Sequence, residues 1–151
     1  MELTIVRHAI AEDGADDAAR PLSKKGRQRF EGVVKELDSL GVRFNRVLHS
    51  PKRRAVETAQ LLSGLCDGEL QPTALLSKEP SVELWNLLDG ERLAVVGHEP
   101  HLTALLSWLV TGEPTGGNFV LKKGGVAQLE GQPEPAGMRL CTLLTPRVLR
   151  R

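Results

Sequence analysis

The stretch LTIVRHAIAE, Leu3 to Glu12, opens as a buried strand and then stops at two basic groups. Leu3, Thr4, Ile5 and Val6 are apolar or β-branched, the composition of a pleated, covered strand. Arg7 and His8 follow at once, and such groups are expensive to bury without a partner. Either they turn out to water or they are aimed at something. Two later runs end the same way. FNRVLHS reads as a second strand and leads into HSPKRR, His49 to Arg54. RLAVVGH is a third, so apolar that a central position is expected, and it leads into GHEPH, Gly97 to His101.

The segments between these strands read as helices. Ser23 suits an N-cap, Phe30, Val33, Val34, Leu37 and Leu40 recur at helical spacing, and Gly41 suits the C-cap. Pro51 suits the first turn of a second helix, with Ala55, Ala59, Leu62 and Cys66 on one stripe. ELQPTALL is a short strand or extended loop, and PSVELWNLL a helix with Ser81 near its start. EPHLTALLSWLVTG is a helix closed by Gly112, and Trp85 and Trp108 fall in apolar helical patterns that place them in the core. GGVAQLEG and MRLCTLLTP are two antiparallel strands joined by the Gly/Pro-rich GQPEPAG. EDGADDAARP reads as a polar loop. This order predicts an α/β fold, a three-layer α/β/α sandwich with a largely parallel central sheet and a C-terminal antiparallel hairpin. With no repeat or linker, residues 1–151 read as a single domain.

Composition narrows the function. A chain of 151 residues can bury a real core without disulfides or metal. The net charge of +1 argues against a nucleic-acid binder, and the absence of Tyr argues against a stacking platform. Cys66 and Cys141 form no CxxC pair and read as small buried thiols in a reducing compartment. No basic segment followed by an apolar run opens the chain, and LTALLSWLV is too short to span a bilayer. A cytoplasmic, soluble monomer with no membrane or nucleic-acid partner is expected.

Ligands of parallel sheets bind beyond the carboxyl ends of the strands. Three parallel strands would bring Arg7, His8, Arg54 and His98 into one pocket. Two guanidiniums and two imidazoles suit a doubly charged, oxygen-rich anion, and arginine forks fit phosphate bidentately. The helix starting near Glu99 would add its positive end. A neutral imidazole is also a good nucleophile for phosphorus. The spacing in HEPH brings His101 one turn after His98, but it is not HExxH and no third ligand is evident, so neither metal nor cofactor is expected.

At these residues the chain resembles the histidine phosphatase superfamily. The resemblance lies in VRHAIAE, SPKRRAVETA and VVGHEP, taken in order. RPLSKKG at the first helix and the closing KKGGVAQLE…LCTLLTPRVL hairpin are similar to the short, SixA-type phosphohistidine phosphatases. The resemblance implies that His8 is the phosphorylated nucleophile, that Arg7, Arg54 and His98 complete the phosphate pocket, and that Ser50 and Pro51 shape the turn presenting Arg54. Arg54, not Arg53, matches the motif. Lys52 and Arg53 read as a solvated face and His49 as structural. Glu57 and Thr58 fit capping or packing as well as the motif. Arg20 and Ser50 are taken to touch substrate.

Larger superfamily members carry an insertion whose carboxylate protonates an alkoxide leaving group. The stretch after Cys66 is too short for such a lid, and Glu79 and Glu83, its nearest carboxylates, match no acid motif. Imidazole, with a conjugate acid near about 6.5, leaves without that help. The expected function is removal of phosphate from a histidine-phosphorylated protein through phospho-His8. The alternatives are a small-molecule phosphomonoesterase or mutase of the same superfamily, and a non-catalytic phosphoprotein-binding module.

Overall fold

The computed structural model describes residues 1–115 and 118–149. Its six strands are β1 (Glu2–Arg7), β2 (Arg46–His49), β3 (Leu70–Pro72), β4 (Arg92–Gly97), β5 (Val126–Gly131) and β6 (Met138–Leu144). The helices are α1 (Lys24–Ser39), α2 (Arg53–Leu61), α3 (Val82–Leu87), α4 (His101–Thr111) and α5 (Pro146–Leu149). One sheet runs in the order β3-β2-β4-β1-β5-β6. The first four strands are parallel, β5 runs against β1, and β6 runs against β5. This is the expected sandwich with its closing hairpin.

The strand pleat sorts the core into two layers. Leu3, Ile5, Leu93 and Val95 pack with Leu84, Leu102, Leu105 and Leu109, the layer of α3 and α4. Val6, Val47, Ala94 and Val96 pack with Phe30, Val33, Leu37, Ala55 and Ala59, the layer of α1 and α2. Leu93 to Val96 are all buried, as a central parallel strand covered on both faces must be. Ser23 caps α1 through the Gly26 amide, Ser81 caps α3 through the Leu84 amide, and Gly112 ends α4 in the left-handed region at φ 86°. Gly26 is there for a second reason: a Cβ would sit 2.0 Å from the Ile10 carbonyl oxygen, where α1 crosses the chain leaving β1. That contact explains the glycine of RPLSKKG.

Several expectations fail locally. Leu40 is 65% exposed, because α1 ends at Ser39 and Leu40 has already swung off the apolar stripe. Pro51 lies before α2, which starts only at Arg53. Cys66 follows a 3-10 turn beyond the end of α2, so it shares no helical stripe with Ala59. Cys141 is exposed on the edge strand β6, and Cys66 only half-buried, so neither is a buried thiol. Trp85 and Trp108 are half-buried, stacked on each other with ring centroids 4.1 Å apart. Four short elements are not evident in the sequence pattern: α5 and the 3-10 turns at Asp17–Ala19, Ser63–Leu65 and Ala74–Ser77. No helix among the described residues is long and apolar enough to cross a membrane.

Candidate active site

Parallel register builds the site. Arg7 pairs with Gly97 and His49 with Val96, so the next residues along the three strands, His8, His98 and Ser50, emerge side by side. Backbone bonds lock them there: the His8 amide donates to the Gly97 carbonyl and the Ser50 amide to Val96, both at 3.0 Å. The rings of His8 and His98 lie 5.2 Å apart. Arg54, the second residue of α2, has a side chain only 7% exposed, while Arg53 is 56% exposed and paired outward with Glu57. The helix start therefore sends one arginine of the pair inward. All four sequence candidates, Arg7, His8, Arg54 and His98, gather at this edge of the sheet, with Ser50 buried beneath them.

His8 has a defined tautomer. Its Nδ1 lies 2.7 Å from the Ala9 carbonyl oxygen, which only accepts, so Nδ1 carries the proton and Nε2 keeps its lone pair. Burial, assisted by Arg54, Arg7 and Lys123, lowers the His8 pKa to about 4, against the opposing pull of the Ala9 bond. The ring is thus neutral near pH 7, with a bare nucleophilic nitrogen. His98 is lowered to about 3, by burial first and then by His8 and Arg54.

The His98 ring is oriented by two serines. Its Nε2 is 2.7 Å from the Ser50 hydroxyl, which is 2.7 Å from the Ser77 hydroxyl and accepts the Lys52 amide at 3.2 Å. With one lone pair taken by that amide, Ser50 must donate to one neighbour and accept from the other. When Ser77 donates to Ser50 and Ser50 to His98, the remaining imidazole proton sits on Nδ1. That nitrogen is buried with no hydrogen-bond partner among the described residues, as are Nε of Arg7 and Nε of Arg54. Unmet buried donors are costly, on the order of 1–3 kcal/mol each, unless an acceptor arrives. With His98 in that tautomer, its Nδ1 and the Nε groups of Arg7 and Arg54 are three unmet donors among the residues gathered with His8, a set that suits an oxyanion.

Neighbouring residues fix the frame. Thr58 takes the Ala9 amide at 3.0 Å and donates to the Arg54 carbonyl at 2.7 Å, tying the exit of β1 to α2. Glu57 accepts the Leu22 amide and pairs with Arg27 and Arg53. His49 is buried and donates from Nδ1 to the Ser50 carbonyl. Arg20 donates to the Glu12 carbonyl and to the Asp17 carboxylate, so it reaches the site through Asp17. The positive end expected of α4 is met by its own Glu99, which accepts the Thr103 amide and hydroxyl. His101 instead lines a separate cavity with Glu79.

Asp17 is the residue that sequence reasoning missed. Its carbonyl and carboxylate accept both terminal nitrogens of Arg54, at 2.8 and 3.3 Å, and the carboxylate also takes Lys52 at 3.0 Å. Lys52, then Arg20 and Arg54, hold that carboxyl well below the usual carboxylate range. Acidic EDGADD facing basic KRR was the available signal; nothing in the sequence pointed to Ser77.

Comparison with known proteins agrees with this geometry. The profile of the histidine phosphatase superfamily (branch 1) matches residues 3–79. An uncharacterized protein of Picosynechococcus sp. is 36% identical over 140 residues, covering 85% of this chain and 84% of that one. This chain belongs to the histidine phosphatase superfamily. Among its superfamily relatives, the mitochondrial serine/threonine-protein phosphatase PGAM5 of Homo sapiens is 33% identical over 89 residues, 54% of this chain but only 31% of that protein. The fold is shared with the protein histidine phosphatase SixA complexed with tungstate, at a TM-score of 0.85 and 22% identity over 99% of this chain and 100% of that one. It is shared as well with the phosphoserine phosphatase of Entamoeba histolytica, at 0.72 and 18% over 95% and 96%.

Proposed function

We propose that this chain is a phosphohistidine phosphatase acting on proteins, with His8 as the transient carrier of the phosphoryl group. The observation that carries the reading is the state of Asp17. It is the carboxylate that contacts the buried arginine of the site, and three cations keep it ionised. An ionised carboxylate gives no proton to a departing alkoxide. A substrate whose leaving group needs little help suits this site, and imidazole is one.

The residues then divide the work. Arg7, Arg54 and His98 hold the phosphoryl oxygens, and their charges and N–H groups offset charge that builds on those oxygens in the transition state. Nε2 of His8 attacks phosphorus from the side opposite the substrate nitrogen. The substrate imidazole, protonated from solvent on its other ring nitrogen, leaves as the neutral ring when its P–N bond breaks. In the second half, water attacks phosphorus on phospho-His8, the new P–N bond breaks, and phosphate leaves with its proton released to solvent. His8 returns to its Nδ1–H form because the Ala9 carbonyl still holds that proton.

The test is kcat/KM for three leaving groups: phosphohistidine, an aryl phosphate and an alkyl phosphate. The expected order is that one, with phosphohistidine fastest by on the order of a hundredfold or more over the alkyl ester. Glu79→Gln and Glu83→Gln should barely change the phosphohistidine rate. If alkyl phosphates turn over equally well and Glu79 is required, the phosphomonoesterase reading replaces this one.

A further inference from the structure

Beside the site, and sharing Arg7 and Ala9 with it, a cavity of about 560 Å³ opens between α1, the turn at Lys122–Gly124 and the segment Thr145–Arg147. Its interior is apolar, formed by Ile10, Phe30 and Pro146 over Gly26. Its charged lining is uniform: Arg7, Arg29, Lys122, Lys123 and Arg147, with no carboxylate among the described residues. The chain as a whole nearly balances its charges, with 20 Lys and Arg against 19 Asp and Glu, so a single-sign lining is a local feature. Lys122, Lys123 and Arg147 are exposed, and no ion pair among the described residues engages them or Arg29. Lys52, Arg20 and Arg54, beside Asp17, are by contrast all paired to it.

We propose that this cavity docks an acidic segment of the phosphorylated protein, which seats one apolar side chain inside and sets its carboxylates against the basic rim. Charge complementarity and continuity with the site support this occupant. An apolar floor wants a desolvated side chain, four unpaired cations want carboxylates, and the shared Arg7 leads from the cavity to the reacting phosphorus. A free small phosphate ester would leave most of this volume and charge unused. The inference rests on the phosphohistidine reading and adds a recognition element to it.

Two histidine peptides, phosphorylated chemically with phosphoramidate, make the test. One carries a leucine flanked by glutamates, the other the same leucine flanked by lysines. The acidic peptide should show a KM lower by about tenfold at similar kcat, an advantage that shrinks as salt is raised. The variant Arg29→Glu/Lys122→Glu/Arg147→Glu should erase that advantage, raising KM for the acidic peptide far more than KM for free phosphoramidate, with kcat for both held within a few-fold. Should the triple variant fail to fold, Lys122→Glu alone, at an exposed position, should reduce the preference by about threefold. Equal KM values for the two peptides, or a preference that survives these substitutions, overturn the proposal. Fluorescence anisotropy with the unphosphorylated peptides separates docking from catalysis. Binding of the acidic peptide without any phosphohistidine hydrolysis supports the docking site and sinks the phosphohistidine reading. Hydrolysis with no peptide preference does the reverse. Lys122-dependent capture by phosphatidylserine-rich vesicles, with neither peptide bound, overturns the proposal in favour of a membrane surface.

Discussion

The two flanks of His8 are built on opposite electrostatic plans. On one, the loop that carries Asp17 closes over Arg54, and Lys52, Arg20 and Arg54 all find the same carboxylate. On the other, the turn at 121–125 holds Arg7 through the Leu121 carbonyl at 3.0 Å, and the Gly124 amide lies 3.0 Å from the carbonyls of both Arg7 and His8. Lys122 and Lys123 stand there exposed, with no ion pair among the described residues. The first flank fixes the direction of a guanidinium and cancels part of its charge. The second fixes backbone and leaves positive charge free. For the proposed phosphoryl transfer, the Asp17 flank is therefore expected to orient the bound group and the Lys123 flank to attract it.

The largest expected effect lies between the flanks and belongs to neither. His8→Ala should abolish turnover, and the base-stable, acid-labile phospho-enzyme trapped by an alkaline quench in single-turnover labelling should vanish with it. Label on serine, aspartate or another histidine would defeat the covalent assignment. Next comes the arginine that the Asp17 flank aims. Arg54→Ala should lower kcat by on the order of a hundredfold or more, as loss of an oxyanion donor does. Arg53→Ala, one residue earlier but turned outward to Glu57, should stay within a few-fold. Equal effects would mean that the α2 register is not what orients the site.

Why Arg54 was legible and Asp17 was not follows from the physics of each. Parallel strands register residue by residue, so polar groups that terminate three apolar runs must meet at one edge, and Arg7, His8 and His98 do. Helical periodicity separates neighbours by about 100°, which distinguishes Arg54 from Arg53 once the start of α2 is known. Asp17 sits on a 3-10 turn of three residues inside a polar loop, and no periodic signal marks which of several acids will face Lys52. Ser77 enters from another such turn, after the edge strand β3, and reaches His98 only through Ser50. The misplaced Leu40 and Cys66 have the same origin, since a helix end is decided by local hydrogen bonding that apolar spacing does not report.

Acid should act on the centre of the site before it acts on the flanks. In the folded chain His8 and His98 are lowered to about 4 and about 3, whereas in the unfolded chain both titrate near 6.5. Between those values the unfolded state binds more protons, so stability is fully present above pH 6.5 and is lost as pH falls toward 4. For His8 alone the loss is on the order of 3 kcal/mol. Denaturant unfolding across that range, in a buffer without oxyanions, measures it, and His8→Asn should flatten the slope. An NMR titration that finds His8 protonating near 6.5 would remove the basis for a neutral nucleophile. Asp17 titrates at lower pH, so its ion pairs contribute across this whole window and break only in stronger acid.

The smallest effect compares the flanks most directly. Vanadate is the probe, since it takes the place of the phosphoryl group and needs no turnover. Asp17→Asn keeps a backbone carbonyl for Arg54 but deletes the negative charge beside it. With Arg54 and Lys52 no longer offset, vanadate should inhibit more tightly, by about fivefold at low ionic strength. Lys123→Ala deletes a positive charge near enough to His8 to depress its pKa, and inhibition should weaken by about the same factor. The double variant should return close to the parent, because the charges lie on opposite flanks and share no hydrogen bond. Raised salt should compress both changes toward unity, as it does for groups in contact with solvent. A weaker, not tighter, inhibitor in Asp17→Asn would show that the carboxylate matters more for aiming Arg54 than for cancelling it. The division between an orienting flank and an attracting one would then have to be redrawn, with the 3-10 turn at Asp17 as part of the oxyanion pocket itself.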